Sequence, residues 1–313
     1  MNEVKWAAVF PGQGSQSVGM LDHLADKPII KAVFAKASAE LDYDLWQLVS
    51  EGPEQKLNQT EYTQPALLTA DVAIWEYLHT LDFPAPMVVA GHSLGEYSAL
   101  VCAGALRFTD AVKLVAMRGR FMQAAVPEGE GAMAAIVGLD DDVIAEICFE
   151  IGDVEPANYN SVGQTVVAGA KISVEKAIEL AKARSCKIAK LLPMSVPSHC
   201  HLMQSAAQKL AVELAKTSLS NPLIPVLHNF DVKPHIVPAE IRDVLVKQLI
   251  SPVRWVETIR TIIKAGADTV IEIGPGKVLQ GLNKRIDKTV NYLGTASVEA
   301  VQQVIEGVKN GVS

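Results

Sequence analysis

Gly91-His92-Ser93-Leu94-Gly95 sets a hydroxyl between two glycines. It follows the apolar run Met87-Val88-Val89-Ala90 and precedes a helical pattern reaching about Cys102, which is the strand-to-helix setting a G-x-S-x-G turn needs. Glycines two positions either side of the serine let neighbouring backbone pass where a Cβ would collide. Such a bend pushes the hydroxyl outward and aims free amide N–H groups toward developing negative charge. The chemistry this allows is acyl transfer through an acyl-serine, given a base. The plainer alternative is a glycine-rich turn in which Ser93 only caps a helix.

Seven histidines are available, His23, His79, His92, His199, His201, His228 and His235. His92 adjoins the serine, and the sharp turn sends its side chain elsewhere. His199 sits in Pro197-Ser198-His199-Cys200-His201, on a loop entering a helix and downstream of the serine, the order found in α/β hydrolases. His201 competes with it, and spacing barely separates the two. Cys200 reads as packing. No obvious Asp or Glu completes a triad between Ser93 and His199, so a backbone carbonyl is a candidate to orient the imidazole. Phe10-Pro11-Gly12-Gln13-Gly14-Ser15-Gln16 offers further exposed amides after the first strand. It is no dinucleotide fingerprint, because Ser17 stands where the third glycine belongs.

Arg118 lies on an essentially apolar helical stripe with Ala111, Val115 and Met122. A guanidinium there needs an anionic partner, since a desolvated lone charge is costly. Its planar fork suits a substrate carboxylate held by two parallel hydrogen bonds. A structural salt bridge with a core Asp or Glu is the competing account. Arg107 and Arg120 read as surface or structural.

The elements that must position these groups follow an α/β pattern. Val4 to Phe10 reads as a buried strand, Pro65 as the first turn of a helix over 66–78, and Thr109 as the cap of a helix from Asp110 to about Ala125. Between Pro127 and Pro197 the order becomes β-α-β-β-α-β, the ferredoxin-like arrangement. The predicted fold is therefore an α/β-hydrolase-like core with a mainly parallel sheet over 1–129 and 196–313, carrying an inserted ferredoxin-like subdomain over 130–195. A helix near 201–217, a strand over 224–229, a helix around 255–265 and a strand over 269–273 complete the core. The 313 residues are 49% hydrophobic and carry a net charge of −7, which supports a large folded core and gives no general attraction to nucleic acid or anionic lipid. No apolar run is long enough to span a bilayer, and the opening Met1 to Gly14 lacks the features of a secretory signal. Cys102, Cys148, Cys186 and Cys200 form no close pair, which suits a reducing cytoplasm and no metal site.

Taken together, Phe10 to Gln16, Gln64-Pro65-Ala66, Gly91 to Tyr97, Met117-Arg118-Gly119, Pro197-Ser198-His199 and Glu272 to Gly276 resemble the malonyl-CoA:acyl carrier protein transacylases of bacterial type II fatty acid synthesis. Acyltransferase domains of polyketide and animal fatty acid synthases share most of these motifs. The resemblance implies Ser93 as nucleophile and His199, rather than His201, as its base. It implies an oxyanion hole from the backbone N–H groups of Gln13 and Leu94, and Arg118 as the grip on the malonyl carboxylate. The backbone carbonyl of Gln248 would orient the histidine, with His92 and Asn160 around the pocket. Malonyl-CoA and the phosphopantetheine-bearing acyl carrier protein would be substrates, with no cofactor, and the chain a cytoplasmic monomer. Lys187, Lys190, Arg285 and Lys288 are candidates for docking an acidic carrier. A serine thioesterase or esterase, and a noncatalytic carrier-binding scaffold, are the rival functions.

Overall fold

A computed structural model describes residues 4–194 and 196–309. The predicted segment junction at Ser195 and the outermost residues assigned to the core, 1–3 and 310–313, lie outside them. In chain order the strands are β1 (Trp6–Phe10), β2 (Val88–Gly91), β3 (Gly131–Val137), β4 (Val154–Ser161), β5 (Gln164–Ala170), β6 (Ile188–Leu191), β7 (Val226–Leu227), β8 (Thr269–Glu272) and β9 (Asn291–Gly294).

One sheet is parallel throughout, in the order β7-β2-β1-β8-β9. Its central strand explains the continuous apolar run at the start of the chain. Trp6, Ala8 and Phe10 join one core cluster, while Ala7 and Val9 join another on the opposite face. Both faces are covered, so alternation disappears. The first cluster takes in the helices Pro28–Ser38, Thr60–His79, Gly95–Cys102, Phe108–Gln123 and Gln204–Lys216; the second takes in Trp255–Lys264 and Val278–Ile286. The carboxyl ends of β1 and β2 lie side by side, with Phe10 in register with Gly91, and open sheets of this kind bind ligands beyond those ends.

The second sheet is antiparallel, in the order β4-β5-β3-β6. With helices Asp141–Ile151 and Lys171–Ala183 between its strands, it has the ferredoxin-like order the sequence predicts. One face packs on those helices through Ile136, Ile144, Val167 and Ile178. The other presents Met133 and Val166 toward the core domain. The small sheet is tied to the segment leading into the helix Trp255–Lys264, where Tyr159 N–H donates to Val253 O and Val253 N–H to Ala157 O, each at 2.9 Å.

Several local expectations are corrected. Pro65 does not open its helix; it is the sixth residue of Thr60–His79. The earlier start is fixed by packing: a Cβ on Gly119 would lie 2.7 Å from Thr60 O, so the two helices touch backbone to backbone here. Thr63 also anchors the first turn through Oγ1, 2.6 Å from Leu57 O. Thr109 is no cap, because the helix begins at Phe108 and Arg107 bonds Asp110 at 2.9 Å instead. The strand expected over 224–229 shrinks to β7. The helix Pro238–Gln248 and strand β9 were not foreseen.

Candidate active site

Ser93 sits at φ +53°, in the left-handed region that costs a non-glycine residue energy and persists only where surroundings hold it. The clamp is visible. Asn229 receives Ser93 N–H on Oδ1 and donates Nδ2 to Gly91 O, both at 2.7 Å. A Cβ on Gly91 would fall 1.8 Å from Gly95 C, and one on Gly95 would fall 2.2 Å from Phe10 O. The glycines are therefore obligatory.

His199 Nε2 lies 2.8 Å from Ser93 Oγ, and its Nδ1 lies 2.8 Å from Gln248 O. A carbonyl only accepts, so Nδ1 carries the proton and Nε2 is left as the acceptor for the serine hydroxyl. Gln248 is the last residue of its helix, where carbonyls lack intrahelical partners. A helix end thus supplies what an Asp supplies in a triad. Burial, aided by the positive charge of Arg118, pushes the His199 pKa down to about 3, so the imidazole is neutral at physiological pH. His201 is elsewhere, 2.6 Å from Glu155 at the surface, and Cys200 is buried with Sγ on Pro197 O. Of the two histidines that spacing left open, it is His199 that lies beside Ser93.

Arg118 is 1% exposed. Its Nη1 donates to Gln64 Oε1 at 2.9 Å, and Nη2 to Gln248 Oε1 at 2.9 Å and Ser93 Oγ at 3.2 Å. Its guanidinium carbon also stands 5.3 Å from the Tyr97 ring centroid. No carboxylate lies within ion-pair distance among the described residues, so the structural salt bridge considered from the sequence is absent. Nε has no partner among the described residues, and burial pushes the pKa of the guanidinium below its usual value. A buried cation with only neutral partners, pointing at a serine oxygen, is arranged to receive an anion.

The N–H groups of Gln13 and Leu94 have no acceptor among the described residues, as an oxyanion hole requires. His92 points away from the serine, its Nε2 2.8 Å from Asn160 Oδ1 and its ring 5.4 Å from that of Trp255. Burial lowers its pKa. Asn160 comes from β4, whose register shifts on either side of 158–159. Gln13, Gln64, His92, Ser93, Leu94, Arg118, Asn160 and His199 line a cleft with about 140 Å³ of internal space between the two sheets, closed by Met133 of β3, Val166 of β5, Leu192 and Met194 just after β6, and Val278 and Leu282 of the helix Val278–Ile286. Among the described residues no group of three or more His, Cys, Asp or Glu could hold a metal ion, and no helix is long and apolar enough to cross a membrane.

Sequence reasoning missed the side chains of Gln64 and Gln248 as the partners of Arg118, and Asn229 and Glu96 beneath the turn. A signal existed for one of them. Ile241, Val244, Leu245 and Gln248 recur at helical spacing after Pro238, which leaves Gln248 as the polar residue on an apolar face.

A strained serine between an imidazole and free amides, on an α/β core with a parallel sheet, defines a serine acyl-transfer enzyme. The acyl transferase domain family matches residues 8–309, and a malonyl CoA-acyl carrier protein transacylase of Salmonella typhimurium is 56% identical over 290 residues, covering 91% of this chain and 94% of that protein. The same transacylase of Coxiella burnetii superposes with a TM-score of 0.96 at 51% identity over 98% of both chains. A malonyl-transacylase solved in complex with a type II PKS acyl-carrier protein superposes with a TM-score of 0.95 at 49% identity, over 98% of this chain and 99% of that one. The chain belongs to the malonyl CoA-acyl carrier protein transacylase family.

Proposed function

We propose that the protein moves a malonyl group from malonyl-CoA to the phosphopantetheine thiol of holo acyl carrier protein, supplying fatty acid synthesis. The observation that carries this is Ser93 Oγ, 2.8 Å from His199 Nε2 and 3.2 Å from a buried Arg118 without a carboxylate partner. His199 Nε2 takes the hydroxyl proton as Oγ bonds the thioester carbon. The oxyanion rests between the N–H groups of Gln13 and Leu94, while Arg118 holds the remote carboxylate. The C–S bond then breaks, and the CoA thiolate leaves with the proton from His199. The carrier thiol attacks the malonyl-serine by the same steps reversed, a ping-pong exchange. Gln248 orients the base through its carbonyl, and His92 with Asn160 shapes the pocket wall.

In this reading residues 1–129 and 196–313 form the catalytic domain and 130–195 a subdomain walling the cleft. All groups come from one chain, which supports a working monomer, and four unpaired cysteines suit the cytoplasm. Lys187, Lys190, Arg285 and Lys288 are exposed. Arg285 bonds Gln164 at 2.7 Å, at the same end of the small sheet as Lys187, whose N–H meets Val137 O; this supports one basic docking patch for the acidic carrier. The test is intact mass after incubation with malonyl-CoA. A malonyl gain on the wild type, absent from Ser93→Ala and discharged by holo carrier protein, is expected. No gain would refute the reading, and discharge by water alone would make the protein a hydrolase.

A further inference from the structure

Beneath the nucleophile turn lies a carboxylate that takes no part in the steps above. Glu96, fully buried, accepts His228 Nδ1 at 2.7 Å on Oε1, and Asn229 N–H and Gln248 Nε2 at 2.9 Å on Oε2. The same Gln248 Nε2 donates to Ser93 O at 2.9 Å. The opposite end of that amide, Oε1, accepts Arg118 Nη2.

An amide has a donor end and an acceptor end, and it can be turned over at no covalent cost. Here it cannot be. Glu96 Oε2, which also accepts Asn229 N–H, and the Ser93 carbonyl both demand the donor end, so the acceptor end must face the guanidinium. Turning it over would set NH₂ against Arg118 and oxygen against both Glu96 and Ser93 O, three repulsive contacts in a buried site. Arg118 is thereby held by a neutral oxygen, with the Glu96 carboxylate kept one amide away. Were the carboxylate itself in contact with Arg118, the guanidinium would already be neutralised, and a substrate carboxylate would have to displace a formed ion pair.

We propose that the Gln248 side-chain amide, locked in one orientation by Glu96, is a specificity-determining group that holds Arg118 in place yet leaves it short of an anion. It positions Arg118 for the malonyl carboxylate, separately from the backbone carbonyl that orients His199. The inference rests on the malonyl-transfer reading above.

The test replaces Gln248 by methionine, which matches its length, keeps the backbone carbonyl and removes both ends of the amide. Acylation of the full chain is followed by intact mass with malonyl-CoA and acetyl-CoA. Losing one buried acceptor of a charged group corresponds to about tenfold to a hundredfold in the interaction it steadies. The malonyl:acetyl ratio of kcat/KM is expected to fall by about that factor, with a raised KM for malonyl-CoA. Should Gln248→Met not fold, Gln248→Asn draws the amide back by one methylene and carries the same expectation. An unchanged ratio, or equal loss for both acyl groups, overturns the inference while a malonylated wild type leaves the function standing. A wild type that takes up no malonyl overturns both.

Discussion

Replacing Arg118 with alanine separates binding of the acyl carboxylate from the chemistry at Ser93. In the proposed malonyl complex two N–H groups of a desolvated guanidinium would meet the carboxylate, and hydrogen bonds to charged groups are worth about 1.5–3 kcal/mol each. Their loss is therefore about 3–6 kcal/mol, or roughly 10²–10⁴ in kcat/KM for malonyl-CoA. For acetyl-CoA the balance has the opposite sign. An acetyl group gives Arg118 nothing to pair with, and that charge depresses the His199 pKa while Nη2 engages the attacking oxygen. Removing it raises the basicity of His199 and frees an Oγ lone pair, so acetyl transfer should hold or rise. The cost falls on stability, because the oxygens of Gln64 and Gln248 lose their donor. The assay measures transfer of both acyl groups to holo carrier protein at matched concentrations, with thermal unfolding to verify folding. Equal losses for malonyl and acetyl would refute the selector role of Arg118.

Other outcomes follow from the same geometry. Because the His199 pKa lies at about 3 in the free protein, kcat/KM for malonyl-CoA should show no acid limb near 6.5; a limb there would contradict the buried neutral imidazole. The linkage has a definite sign: the unfolded chain protonates this residue below about pH 6.5 and the folded chain does not until about 3. Its share of stability therefore shrinks as pH falls, read as a falling urea midpoint relative to His199→Ala. Gly95→Ala should cost at least about 3 kcal/mol, because its Cβ meets unyielding backbone at Phe10, whereas Gly281→Ala, on the exposed face of its helix with open space around it, should gain about 0.5–1 kcal/mol; thermal melts compare the two. Charge reversal at Lys187 and Arg285 should raise the KM for carrier protein about tenfold and leave that for malonyl-CoA nearly unchanged, and unchanged carrier kinetics would remove the patch.

What the sequence determined by itself was local. The turn around Ser93 is dictated by glycines that no other residue can replace, and the buried strand β1 by an apolar run with no alternation. The βαββαβ order was likewise legible, since each of its elements has its own periodicity and its turns are short. Arg118 was marked by its place on an apolar stripe, because a charge there demands an explanation. The tertiary structure alone decided which partners those residues have. Whether His199 or His201 reaches Ser93 depends on how a loop more than a hundred residues downstream crosses the sheet ends, which no spacing encodes. Pro65 and Thr109 obeyed local rules less than the packing at Gly119 and the pairing of Arg107. The amide that spans Glu96 and Arg118 lies at the end of a helix far along the chain, and its direction is set only when a buried carboxylate closes beneath it. Hydrogen bonds between distant side chains carry no periodicity, so the wiring of the site had to come from the fold.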